Sequence, residues 1–348
     1  MKDSKVSISV SWMAVLLAVV MMAGCASQTG IAEFKATDTP QANIFEPTAT
    51  LSPIPPTATP SPVPPTATPL PPTPTELPWT QFTESYVPDG DSRQKLEVYL
   101  PKEGDGPFPT ILAIHGGCFR AESRSNYHRY ASFFNELGYA LVSTDYRLAP
   151  RFTYPAQVQD SFCALAWIHA NADTYGFDTE RIAAIGESAG GYLVSMLGTV
   201  DDPVLYLEGC PYALPETNWI QGVMAVYGLF DLTTTEGYAE FAVKDCTEPY
   251  LGTKVSDASE EFLAEVSPIF WVNGNELPFL IIHGLSDSLI PSWMAEDFAS
   301  KLEEEGGKAE LLLLEAGHGY FTDFPLSYEP NVQTREAITA FLAGLFGK

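Results

Sequence analysis

The chain has 348 residues, with 44 Asp and Glu against 18 Lys and Arg and a formal net charge of −26. That acid excess excludes binding driven by phosphate contacts, so nucleic acid is not an expected partner. The five Cys and five His show no zinc-type spacing and the glycines form no phosphate-binding loop, so neither a metal nor an organic cofactor is expected.

Residues 1–24 read as an export signal: Lys2 and Lys5 give a positive start, and Met13 to Met22 is an apolar run too short to span a bilayer. Met22-Ala23-Gly24-Cys25 resembles the lipobox of bacterial lipoproteins. The resemblance implies cleavage before Cys25 and acylation of that residue, with palmitate or a similar chain. The mature protein would then be extracytoplasmic, held on the cell membrane without crossing it. Residues 25–78 follow as the anchor Cys and a linker rich in Pro and Thr, in which Pro-Pro-Thr-Ala-Thr-Pro occurs at Pro55 to Pro60 and again at Pro64 to Pro69. Such composition buries too little to fold and prefers an extended, stiff conformation.

Residues 79–348 have the composition of one α/β domain. Strands are predicted at Phe82–Val87, Leu96–Leu100, Thr110–Ile114, Ala140–Asp145, Arg181–Ile185, Gly222–Tyr227, Phe279–His283 and Ala309–Leu314. Helices are predicted at Tyr127–Leu137, Ala156–Asn171, Gly191–Gly198, Ser292–Glu305 and Asn331–Phe346. The first two strands follow one another as a hairpin would. The rest alternate with helices, which argues for a mostly parallel sheet of eight strands covered on both faces.

The strand ending at Ile185 drives into Gly186-Glu187-Ser188-Ala189-Gly190-Gly191, and a helix follows. Strand, tight turn and helix in that order form a nucleophile elbow, with Ser188 raised at the turn. A serine hydroxyl needs a base, and at neutral pH that base is a histidine steadied by a carboxylate. His128 and His169 fall within helices, while His115 and His283 end strands. His318 stands in a glycine-flanked loop after the last strand, where it can be aimed at Ser188. Asp287, just past the strand Phe279–His283, is the expected third member; Asp231 and Asp323 are rivals. An oxyanion would be met by the backbone N–H groups of Ala189 and of the loop His115-Gly116-Gly117-Cys118, that is, Gly117 and Cys118.

Residues from about 95 to 325 resemble the α/β-hydrolase esterases of the hormone-sensitive-lipase and bacterial feruloyl-esterase-like groups. The likeness rests on His115-Gly116-Gly117, Asp145-Tyr146-Arg147-Leu148-Ala149-Pro150, Tyr154-Pro155-Ala156, the Ser188 motif, His283-Gly284 to Asp287, and Gly317-His318-Gly319. Ser267-Pro268-Ile269 and Leu197-Gly198-Thr199 favour the feruloyl-esterase-like group. The resemblance implies the α/β-hydrolase fold, with Ser188, Asp287 and His318 as a catalytic triad. It also implies an oxyanion hole from the second and third glycines of His-Gly-Gly-Gly, the third of which is Cys118 here. The activity implied is that of a membrane-tethered serine carboxylesterase acting on acetyl, feruloyl or similar esters, with an acylated polysaccharide as a suitable target. A prolyl-oligopeptidase-like peptidase is a second reading, but those enzymes resemble Gly-x-Ser-Tyr-Gly-Gly and Ala189 follows Ser188 here. A non-catalytic binding module on a hydrolase scaffold is a third. Phe119, Tyr192, Tyr227, Leu229, Ile290 and Tyr320 neighbour the motifs and are the expected lining of a substrate pocket. Export permits disulfides, so Cys210 is expected to pair with Cys246, leaving Cys163 as a buried thiol.

Overall fold

A computed structural model describes residues 79–347. The export signal, Cys25 and the Pro/Thr-rich linker lie outside the described residues.

Eight strands form one sheet: β1 (Trp79–Ser85), β2 (Lys95–Pro101), β3 (Phe108–Ile114), β4 (Ala140–Thr144), β5 (Phe177–Glu187), β6 (Gly222–Val226), β7 (Phe279–Gly284) and β8 (Ala309–Leu314). Their order across the sheet is β1-β2-β4-β3-β5-β6-β7-β8. β1 and β2 pair antiparallel, β2 meets β4 antiparallel, and every later pairing is parallel. The central strands are buried on both faces because alternate residues serve two cores. Leu112, Ile114, Ile182 and Ala184 pack under the helices Ala156–Ala170, Ala189–Thr199 and Trp293–Glu304. Ile111, Ala113, Ala183 and Ile185 pack on the opposite face, toward the helices Ala131–Glu136 and Glu329–Phe346.

Two strands are longer than their apolar runs. β1 begins at Trp79 because Trp79 is in register with Pro101. β5 begins at Phe177, opposite Phe108, and a register shift at Pro109/Thr110 carries the pairing from Asp178 past the polar residues Thr179, Glu180 and Arg181 to Ile182. The predicted helix Tyr127–Leu137 is a 3-10 run, Arg124–Tyr130, continued by the α-helix Ala131–Glu136. Its start is fixed by Asp145, which accepts from the Arg124 backbone N–H at 2.7 Å and pairs with the Arg124 guanidinium.

The expected Cys210–Cys246 bond is not formed, and Cys163 is not a free thiol. Cys163 bonds to Cys210, with Cα atoms 5.5 Å apart. Cys163 lies on the helix Ala156–Ala170, where the neighbouring Phe162 stacks on Tyr206 of the turn that leads to Cys210. That packing brings the two sulfurs together, although nothing local in sequence joins them. Cys246 bonds instead to Cys118, with Cα atoms 4.6 Å apart. Cys118 follows β3 and Cys246 belongs to the crossing between β6 and β7, so tertiary topology sets the pairing.

Candidate active site

Ser188 stands at φ 54°, ψ −117°, between the end of β5 and the helix Ala189–Thr199. A non-glycine residue is held at positive φ only where its surroundings over-determine it. Here the flanking glycines make room. A Cβ on Gly186 would lie 2.2 Å from the Gly190 carbonyl oxygen, and one on Gly190 would lie 2.0 Å from the Ile114 carbonyl oxygen. β3 is the neighbour of β5 in the sheet, so the loop after β3 is pressed against this turn.

His318 reaches the serine from the loop after β8. Its Nε2 is 3.0 Å from Ser188 Oγ, and its Nδ1 is 2.7 Å from Asp287 Oδ2. Asp287 is three residues past β7, with its side chain shielded from solvent. Its Oδ1 accepts the backbone N–H groups of Leu289 and Ile290, each at 2.9 Å, and its Oδ2 is 3.3 Å from His283 Nε2. Burial pulls this carboxyl upward, but the hydrogen bonds from His283 and His318 outweigh it and hold Asp287 below the ordinary carboxylate range. The residue thus closes its own turn and also orients the imidazole. The two rivals stand elsewhere. Asp231 accepts from the Thr233 backbone N–H and hydroxyl in an exposed turn, and Asp323 is exposed at the rim of the cleft.

The loop after β3 carries Gly117, Cys118 and Phe119 at φ 82°, 57° and 57°. Gly117 and Cys118 line the same cleft as Ser188 and His318. Ala189 opens a helix, and first-turn N–H groups have no intrahelical acceptor. Two buried groups hold the loop from behind. Glu187 accepts the Gly116 N–H at 2.7 Å and the Tyr127 hydroxyl at 2.7 Å. Burial pushes Glu187 up to about 8, against the effect of those two hydrogen bonds. Tyr146 donates to the Gly116 carbonyl at 2.6 Å and stacks on His115. Burial, with Arg93 beside it, lowers His115 to about 3, so that imidazole stays neutral and serves the scaffold.

Two compartments meet at Ser188. One is a cleft of about 170 Å³ whose rim carries Glu122, Thr322 and Asp323. Burial raises the Glu122 carboxyl against its hydrogen bond from Asn126, and Asp323 adds to the rise. The other is a cavity of about 20 Å³ between Phe119, Leu229, Ala242, Ile290 and the Cys118–Cys246 bridge. Of the expected lining residues, Phe119, Leu229 and Ile290 face this small cavity and Tyr227 faces the cleft, its ring 4.7 Å from that of His318. Tyr192 and Tyr320 do not reach either compartment. Tyr192 is buried against Phe119 and hydrogen-bonds Tyr250, and Tyr320 is buried with its hydroxyl on Thr334. A larger cavity of about 510 Å³, beside Pro278, Lys308 and Phe341, has no serine or histidine in its lining. Sequence reasoning did not single out Glu187, Glu122, Leu289 or Ala242. Glu187 was visible inside the elbow motif; the other three carry no motif.

A sheet of this strand order, with Ser188 on the turn after β5 and His318 in the loop after β8, defines the α/β-hydrolase fold. Residues 96–302 match the BD-FAE family, and the chain belongs to that family. The match stops short of β8 and His318. The chain is 32% identical to esterase LipC of Mycobacterium tuberculosis over 238 residues, covering 66% of this chain and 58% of LipC. It is 30% identical to carboxylesterase NlhH of the same species over 248 residues, 70% of this chain and 71% of NlhH. A truncated carbohydrate esterase from gut microbiota shares the fold, with a TM-score of 0.62 and 23% identity over 79% of this chain and 99% of that one. The chain spans little more than half the length of LipC and of its counterparts LipM and LipQ.

Proposed function

We propose that this chain is a serine carboxylesterase, held outside the cytoplasm by a lipid anchor at Cys25, that removes acyl groups from a hydroxyl-rich alcohol such as an acylated polysaccharide. The observation that carries this reading is the hydrogen-bonded series Ser188–His318–Asp287 opening onto a cleft rimmed by carboxylates. LipC and NlhH are named esterases, and the carbohydrate esterase of the same fold supports the sugar reading. Glu122, Thr322 and Asp323 offer acceptors for sugar hydroxyls and disfavour anionic alcohols.

In this mechanism Ser188 Oγ attacks the ester carbonyl carbon while His318 Nε2 takes its proton. Asp287 holds the Nδ1–H and stabilises the imidazolium. The carbonyl oxygen, now negative, is met by the N–H groups of Gly117, Cys118 and Ala189, each worth about 3 kcal/mol in such a site. The tetrahedral species collapses, His318 gives its proton to the departing alcohol oxygen, and the acyl group stays on Ser188. Water then gives a proton to His318 and attacks the acyl carbon. Collapse releases the carboxylic acid and returns the proton to Ser188. His318 has solvent-facing surface through which that water can arrive.

The test is the full chain assayed on acetylated and feruloylated polysaccharide and on simple nitrophenyl esters, with a serine-reactive phosphonate as label. Acid release with labelling at Ser188, and a fall of about 10⁴-fold or more in Ser188→Ala, is the expected result. Retention of a tenth of the activity by that variant removes Ser188 from the mechanism. Cys25→Ala should move the protein from the membrane fraction to the soluble one at unchanged specific activity.

A further inference from the structure

The bond between Cys118 and Cys246 joins the loop after β3 to a π-helical turn, Ala242–Thr247, in the β6–β7 crossing. It is one of three links between that loop and the segment Ala242–Leu251, which continues the turn as a short α-helix. Phe119 stacks on Tyr250 at a ring separation of 4.0 Å, and the Arg120 guanidinium donates to the Asp245 carbonyl at 2.6 Å. The disulfide and Phe119 border the small cavity beside Ser188. Cys118 and Cys246 lie in its wall, with Ala242 one helical step away and Phe119, Leu229 and Ile290 closing the rest. Its lining is apolar apart from the Ser188 and His318 atoms at the mouth.

The two compartments differ about eightfold in volume, about 20 Å³ against about 170 Å³. Roughly 10–15 Å³ of such volume holds one water. The small compartment therefore admits a methyl group and little more, whereas the large one admits a sugar ring. An ester bound across Ser188 must direct its acyl chain into one compartment and its alcohol into the other. The apolar, narrow side suits a hydrocarbon stub, and the wide, carboxylate-rimmed side suits a hydroxylated alcohol.

We infer that the Cys118–Cys246 disulfide is the specificity-determining wall of the acyl side and limits the substrate to acetyl-sized groups, excluding butyryl and feruloyl. The inference rests on the esterase reading above and narrows it. Cys118 belongs to the lining of both compartments and is tied to Cys246, which lines the small one. The Phe119–Tyr250 stack and the Arg120–Asp245 contact do not depend on the sulfurs, so a variant lacking the bond is expected to keep the segment docked while the wall recedes.

The experiment compares kcat/KM for nitrophenyl acetate, propionate, butyrate and hexanoate in the wild type, in Cys246→Ala and in Cys246→Val. In the wild type the acetate should be best, with butyrate at least tenfold poorer, as expected when one or two methylenes do not fit. Cys246→Ala should raise the butyrate-to-acetate ratio about tenfold, and Cys246→Val, which breaks the same bond but refills the space, should reverse most of that gain. A merely structural bond would lower all four esters in parallel, and that outcome overturns the inference. So does a wild type that prefers butyrate or hexanoate, although the esterase reading then stands. A wild type inactive on every ester sinks that reading itself. If the Cys246 variants do not fold, Ala242→Leu carries the test with the disulfide intact: propionate should fall at least tenfold more than acetate, and an unchanged ratio overturns the inference.

Discussion

Asp287 and Glu187 are two carboxylates shielded within one site, and their surroundings drive them in opposite directions. Asp287, beyond β7, receives two backbone N–H groups and faces two imidazoles. Those partners overcome burial, and the group stays below the usual carboxylate range. Glu187, the last residue of β5, receives one backbone N–H and one phenol, and burial prevails, lifting it to about 8. Asp287 has more donors, two of them imidazoles, and is less deeply enclosed than Glu187, and both differences favour its charged form. A charged Asp287 can stabilise an imidazolium. A largely neutral Glu187 can hold the Gly116 N–H without placing a second negative charge beside a developing oxyanion.

The comparison can be broken most severely at Asp287. Asp287→Asn should lower kcat by about 10⁴-fold, because the amide favours the wrong imidazole tautomer. Steady-state kinetics on a short-chain ester reads this directly, and a loss below about tenfold would shift the role to another acid. Glu187→Gln should cost no more than about tenfold in kcat, well under the ~10²–10³ of losing an oxyanion donor, since the amide oxygen still accepts from Gly116.

Thermal unfolding across pH sharpens the same contrast. Glu187 has a folded pKa raised above its ordinary 4.5, so the stability it contributes is present below about pH 4.5 and lost as pH rises through about 8. The wild type should therefore lose several degrees of Tm relative to Glu187→Gln between pH 5 and pH 8. Asp287 has the opposite sign, contributing stability above about pH 4 that is lost as pH falls through its depressed value. The deficit of Asp287→Asn should accordingly be largest near neutrality and shrink in acid. Parallel curves for the two variants would remove the distinction. The smallest effect belongs to Asp231→Asn and Asp323→Asn, which should each change kcat less than about threefold, as neither carboxylate touches His318.

How much of this was legible in the sequence depended on whether a contact is local. Gly186, Ser188 and Gly190 are spaced as one turn demands, so the elbow could be read directly. Asp287 and His318 could be placed by chain order and by the strand ends that precede them. The disulfides could not. Cys118 and Cys246 are 128 residues apart and meet only because the β6–β7 crossing passes over the loop after β3. Cys163 read as apolar helix because it is buried there, and burial does not distinguish a thiol from a half-cystine. Tyr192 and Tyr320 adjoin functional residues in sequence, but the helices Ala189–Thr199 and Tyr320–Asp323 on which they lie direct them into the core. Glu187 had the reverse problem: it occupies the variable position of its motif, and its task is visible only once Gly116 and Tyr127 are seen against it.

One side of the small cavity and the nucleophilic series come from different parts of the chain. Ser188, Asp287 and His318 each sit just beyond the end of a strand of the sheet, whereas Leu229, Ala242 and Cys246 all belong to the excursion between β6 and β7. That excursion leaves the sheet after Val226 and returns at Phe279, so its two ends are fixed on neighbouring parallel strands. A segment anchored in this way is an exchangeable cassette. Exchanging the part of it around Ala242 and Cys246 would redraw that side of the cavity, while Ser188, Asp287 and His318 stay on the ends of their own strands.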